Sequence, residues 1–188
     1  MNDLKESIAR FGDDLEIIFA GRKSVVFLCG PSSKNMNHPG AKLRIDLEET
    51  LKQEGFEVIL GEDDGLEGIR HKYSNYAHEN ELMFIQNHCN AVILIASSVG
   101  AYCELGLFSY KKVHDSKSAT DFILIISNEY ENTPSYLNEG PAAAIDDFGK
   151  VYYGDLSNFD YSHIIKRLKR RRSIYFTSFK GRPSSFNE

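Results

Sequence analysis

Residues 89–112 read CNAVILIASSVGAYCELGLFSYKK: an apolar run, a small-residue break at Ser97-Ser98-Val99-Gly100, and then a helical pattern. The run 91–96 (AVILIA) is apolar on both alternating faces, as expected of a parallel strand covered on two sides. The same signature recurs outward from it. Upstream lie KSVVFLC (23–29) and FEVIL (56–60); downstream lie FILIIS (122–127) and KVYYG (150–154). Helical spacing fills the gaps over 41–54, about 74–88, 101–112 and 159–172, and over 134–148 with an interruption at Gly140-Pro141. Strands alternating with helices predict an α/β protein with an open, mainly parallel five-stranded sheet and helices on both faces, Rossmann-like or flavodoxin-like.

Three segments follow from this pattern. Residues 1–21 form an N-terminal accessory helix, with Leu4, Ile8, Phe11, Leu15 and Ile18 at helical spacing. Residues 22–172 form the α/β domain. Residues 173–188 form a tail whose Tyr175, Phe176, Phe179 and Phe186 mark it for packing on this chain or another. A chain of 188 residues with 41% hydrophobic content supports one core. It buries roughly 70% of its unfolded surface without disulfide or metal. The three cysteines, Cys29, Cys89 and Cys103, lie in or beside apolar runs, with no CxxC or His-paired spacing. They read as reduced core residues of a cytoplasmic protein with no metal centre and no cofactor. No membrane span is expected.

The net charge of −5 conceals a basic run, Lys166 to Arg172 (KRLKRRR). Such a run is either the solvated face of a last helix or a docking stripe for nucleic acid or an acidic surface. With the aromatic tail, it predicts that 166–188 meets a second copy of this chain or a restraining nucleoprotein partner.

Parallel sheets bind ligands beyond the carboxyl ends of their strands. There the chain places Gly30, Pro31, Ser32 and Ser33 after the first strand, small polar groups suited to a sugar or phosphate. GPSS matches neither a P-loop nor a dinucleotide fingerprint. After the third strand come Ser97, Ser98, Gly100, Tyr102 and Glu104. Gly100 is expected to allow a sharp turn and close approach of a ligand. Glu104 falls in the first turn of a helix whose other positions, Cys103, Leu105, Leu107 and Phe108, are apolar. A helix-start acid is commonplace because the dipole favours it. A carboxylate among apolar neighbours is costly unless it has a partner or a task. Tyr73 and Tyr76 precede this region, and either is placed to stack on a base, although packing is the commoner use of Tyr.

The segment 89–112 resembles the core motif of the nucleoside 2-deoxyribosyltransferase-like superfamily: a strand, a Ser/Asp-containing turn with Gly, then Glu-x-Gly in a helix. Its S-x-G-x-x-x-E-L-G-x-F form, with YLNEGPAAAIDDF (136–148), is closest to the defence-associated branch that includes base-releasing retron effectors. The likeness covers about residues 23–155, although its specific part is about ten residues. It implies an N-glycosidase or deoxyribosyltransferase cleaving the base–sugar bond of a nucleoside, nucleotide or NAD, as a toxin effector in anti-phage defence. It assigns Glu104 to the anomeric carbon, as nucleophile or as the charge opposite an oxocarbenium ion. Ser98 stands where transferases often carry an Asp that handles the base. Glu79 or Glu81 takes the place of a second acid, and Cys29-Gly30 replaces a frequent Tyr. The remaining contacts to substrate fall to Gly30, Pro31, Ser32, Ser33, Ser97, Gly100, Tyr102 and Tyr76. These departures favour hydrolysis or a changed base preference over transfer. The alternative reading is a non-catalytic module of the same fold that senses a nucleotide or binds a partner.

Overall fold

The computed structural model describes residues 22–61, 76–115, 118–177 and 182–183. The strands are β1 (Arg22–Lys23), β2 (Val25–Cys29), β3 (Glu57–Leu60), β4 (Ala91–Ala96), β5 (Asp121–Ser127), β6 (Lys150–Gly154) and β7 (Arg182–Pro183). The helices are α1 (Pro39–Gln53), α2 (Ala77–His88), α3 (Val99–His114), α4 (Ala143–Phe148) and α5 (Ser162–Thr177). Five strands form one sheet in the order β3-β2-β4-β5-β6, every neighbouring pair parallel. The expected α/β architecture is therefore present, with β4 at its centre.

Alternate residues of the strands feed two cores. On one face Val26, Leu28, Ile93, Ile95, Ile123 and Ile125 meet Leu43, Leu47 and Leu51 of α1 and Ile164 and Leu168 of α5. On the other, Phe27, Cys29, Val92, Leu94, Leu124 and Ile126 meet α2, α3 and α4 through Phe84, Leu105, Phe108 and Ile145. Each large side chain so buried contributes about 1.5–3 kcal/mol. This two-sided burial is why the strands read as unbroken apolar runs.

Several expectations are corrected. Cys29 and Cys89 are buried, but Cys103 is exposed, because it lies on the outer face of α3. The helix after Pro134 is continuous through Gly140-Pro141: a π turn over Asn138–Ala142 takes in Pro141. Proline lacks the N–H that an α turn requires, and a wider turn accommodates it. The last helix runs to Thr177, so the expected boundary at 172 falls inside α5. Beyond it, β7 pairs antiparallel with β1, with Arg22 opposite Pro183 and Lys23 opposite Arg182. The chain thus returns to its own first strand. The accessory helix expected over 1–21 lies outside the described residues, as do Tyr73 and the side chains of 173–188.

The basic run is largely occupied within the fold. Arg167 donates from Nε and Nη2 to the two carboxylate oxygens of Asp121, both at 2.8 Å, and Arg171 Nε lies 3.3 Å from Asp121 Oδ2. Lys169 pairs with the Glu54 carboxylate. Arg172 donates to Glu54 O at 2.6 Å and stacks over the Phe56 ring at 4.2 Å. Lys166, Lys169 and Arg170 are the exposed members of the run on this helix. Four of the run's six cations, Arg167, Lys169, Arg171 and Arg172, thus contact Asp121, Glu54 or Phe56 within the fold.

Candidate functional site

The sheet order reverses between β2 and β4: the connection from β2 leads outward to β3, that from β4 onward to β5. A crevice opens at such a switch point, beyond the carboxyl ends of the strands. At the end of β2, Gly30 adopts φ +156°, a conformation that side chains disfavour, and a Cβ there would sit 3.1 Å from Ile95 Cβ. The loop is held from beneath by Arg44, which is 2% exposed. Arg44 Nη2 donates to Leu28 O at 2.9 Å and Nη1 to Pro31 O at 3.2 Å. Sequence reasoning missed Arg44, although a signal was present. It shares the inward face of α1 with Gly40, Leu43, Leu47 and Leu51.

Glu104 lies on α3 with its Oε2 atom buried. Its charge is felt at Cys29, on the end of β2. Burial first raises the pKa of that thiol well above the usual range. The negative charges of Glu104 and then Glu81 raise it further, against the opposing charge of Arg44. Glu81 is the half-buried acid of α2, and a Cβ at Gly61 would stand 3.3 Å from its Oε1. Two carboxylates and a guanidinium therefore act on one strand end. Of the two acids expected on α2, Glu81 shares the inward side with Phe84 and Ile85, three and four residues on, whereas Glu79 is exposed.

A cavity of about 310 Å³ opens on the other side of β4. Strand ends β4, β5 and β6 supply Ser97, Ser127, Glu129, Tyr130, Asp155 and Ser157. His38 and Pro39 at the start of α1 and Tyr102 on α3 complete its walls. His38 caps α1, its Nδ1 accepting from Gly40 N at 3.1 Å. Gly40 has no room for a side chain, because a Cβ would fall 2.2 Å from Ser97 Oγ. Burial, then a hydrogen bond with Tyr130, raise the pKa of the Tyr102 phenol, and the Tyr130 and Glu129 charges add to the shift. Tyr130 is fixed by Asn138 of the π turn, whose Nδ2 donates to Tyr130 O at 2.5 Å and to Thr133 O at 2.8 Å. Asn138 Oδ1 in turn accepts from Tyr153 OH at 3.0 Å.

The expected site residues therefore separate into two places. Ser97 and Tyr102 line the cavity; Glu104, with Cys29 beside Gly30, stands on the α2 side. The physical reason is helical: residues two apart project about 200° from each other, so Tyr102 and Glu104 face opposite ways. Ser98 caps α3, its Oγ accepting from Ala101 N at 3.3 Å. Gly100 lies inside the first turn of α3, with nothing within 4 Å of a Cβ built there, so it makes no sharp turn. Pro31 is buried beneath the loop, Ser33 is half-buried and Ser32 exposed. Tyr76 is 64% exposed and stacks on His78 rather than lining the cavity. Among the described residues, no cluster of His, Cys, Asp and Glu is placed to hold a metal, and no helix is long and apolar enough to cross a membrane.

A family model described as STM3845 retron effector protein matches residues 41–186, which include all but the first two residues of α1, Glu81, Glu104 and every strand from β3 onward. The chain belongs to this retron effector family. Its role is accordingly that of an effector in anti-phage defence. No curated protein matches the chain.

Proposed function

We propose that this retron effector is an N-glycosidase that releases the base from a nucleoside, nucleotide or NAD, with Glu104 as the carboxylate opposite the anomeric carbon. The observation that carries the reading is the Glu104 carboxylate: its Oε2 is buried and its charge reaches Cys29, on a strand end at the switch point. As the C–N bond breaks, positive charge develops on the sugar. A fixed carboxylate in a water-poor site stabilises that charge far more than a solvated one would. The bonding electrons leave with the base, which takes up a proton unless it already carries a positive charge, as the nicotinamide of NAD does, and water completes the sugar. Glu81, on the facing helix, is the second acid, suited to move that proton. The capping duty of Ser98, in the place where transferases often carry an acid, favours water as acceptor over a second base.

The test is to incubate the protein with a pool of nucleosides, nucleotides and NAD and to resolve free bases by chromatography. Glu104→Gln is expected to lower base release by about 10²-fold or more. Its circular dichroism should remain that of the parent. Full activity in that variant removes Glu104 from the mechanism.

A further inference from the structure

The cavity bounded by Ser97, Tyr102, Tyr130 and Asp155 has no part in the chemistry assigned to Glu104, yet it is built as a binding site. Ser97 lines it, with its Oγ buried against Gly40 and without a hydrogen-bond partner among the described residues. Glu129 and Asp155 are exposed at the rim. Neither carboxylate has a cationic partner among the described residues. No Lys or Arg lines the space. Phosphate is therefore a poor occupant, and a group rich in O–H donors a good one. The remaining wall is flat and apolar. Tyr102 and Tyr130 meet edge to face with ring centroids 6.4 Å apart, and Pro39, Ala96 and Leu156 lie beside them. About 310 Å³ is at the lower end of small-ligand cavities.

We infer that this cavity is a ribonucleoside site, with the ribose diol donating to Asp155 and Glu129 and the base lying against the tyrosines. Carboxylates bind a ribose diol in this manner in dinucleotide folds. Because α3 turns Tyr102 and Glu104 to opposite sides, the sugar held here is not the one that Glu104 faces. The site is a second one, and its occupancy is measurable whether or not base is released.

Calorimetry on the full chain carrying Glu104→Gln, with adenosine, 2′-deoxyadenosine and 3′-AMP as probes, tests this. Adenosine is expected to bind, and 2′-deoxyadenosine at least about tenfold more weakly, since a hydrogen bond to a charged acceptor is lost. 3′-AMP, which blocks the diol and brings charge to the rim, should show no binding over the same range. The double change Glu129→Gln with Asp155→Asn should erase the preference for ribose without moving the melting temperature, because both side chains are exposed. Three results overturn the inference: equal binding of ribose and deoxyribose forms, no binding of adenosine, or a ribose preference that survives the double change.

Discussion

The two ends of the sheet differ in how fully they are closed. At the amino end, most buried polar groups find partners within the chain, although Ser24 Oγ and Asn90 Nδ2 have none among the described residues. Asp121 receives Arg167 and Arg171, Thr120 Oγ1 donates to Cys89 O at 3.1 Å, and Asn90 Oδ1 accepts from Val25 N at 2.8 Å. Lys112 is 5% exposed, and its ammonium donates to Ser118 O and Thr120 O. At the carboxyl end, Ser97 Oγ is left without a partner among the described residues, Gly30 takes up a disfavoured conformation, and a cavity stands open. A buried charge is informative only when its surroundings are known. Arg167 and Glu104 are both charged groups drawn into the fold, but one completes an ion pair and the other stands at a switch point.

Substitutions at the two ends should therefore differ in what they damage. The largest loss of stability is expected from Arg167→Ala, which strands Asp121, whose side chain is fully buried, with Arg171 as a poorer partner. Removing one member of a buried pair costs about 3–5 kcal/mol, visible as a lower urea midpoint. Activity per folded molecule should be unchanged, the reverse of Glu104→Gln. A loss below about 1 kcal/mol would break the contrast, because the amino end would then owe little to this clamp. Gly30→Ala is next, at about 1–3 kcal/mol, from an unfavourable φ and the close approach to Ile95. It sharpens the comparison if it also perturbs binding or activity, which a change at the amino end should not do.

The smallest effect belongs to Asp146, half-exposed on α4. A hydrogen bond from Lys150 holds its carboxyl below the usual range; partial burial opposes this, and Val151 N–H assists. A lowered folded-state value means that the stabilisation is present above the unfolded value, about 3.9, and is lost as pH falls through the folded one. Asp146→Asn should therefore lower the melting temperature slightly at pH 7, by under about 1 kcal/mol of stability for an exposed pair. The gap to the parent should narrow at pH 3.

The centre of the sheet was legible because its strands are covered twice, so AVILIA carries its own boundaries, whereas the edge strand KVYYG, with only Val151 buried, was marked by its β-branched and aromatic residues. α5 was read too short because Ser173-Ile174-Tyr175-Phe176-Thr177 is poor in strong helix formers, and tertiary context overrides such propensities. The basic run was hard to read for a different reason. Its partners Asp121 and Glu54 lie 46 and more than 100 residues away, beyond any local pattern. In the site, the position of Glu104 followed from its motif, whereas its separation from Tyr102 needed only helical geometry applied two residues along. The cavity needed more. Asp155 and Ser157 come from a loop after β6 with no motif of its own, brought in by strand order alone.

The pairing of β1 with β7 also has a mechanical consequence. Only two residue pairs join them, against four to six in each ladder of the main sheet. Tension applied at the carboxyl terminus would load this short zipper first. Once it opens, the load passes to the carboxyl end of α5 before the central strands bear any force. The zipper is a fuse, sparing the strand that ends at Cys29 and Gly30.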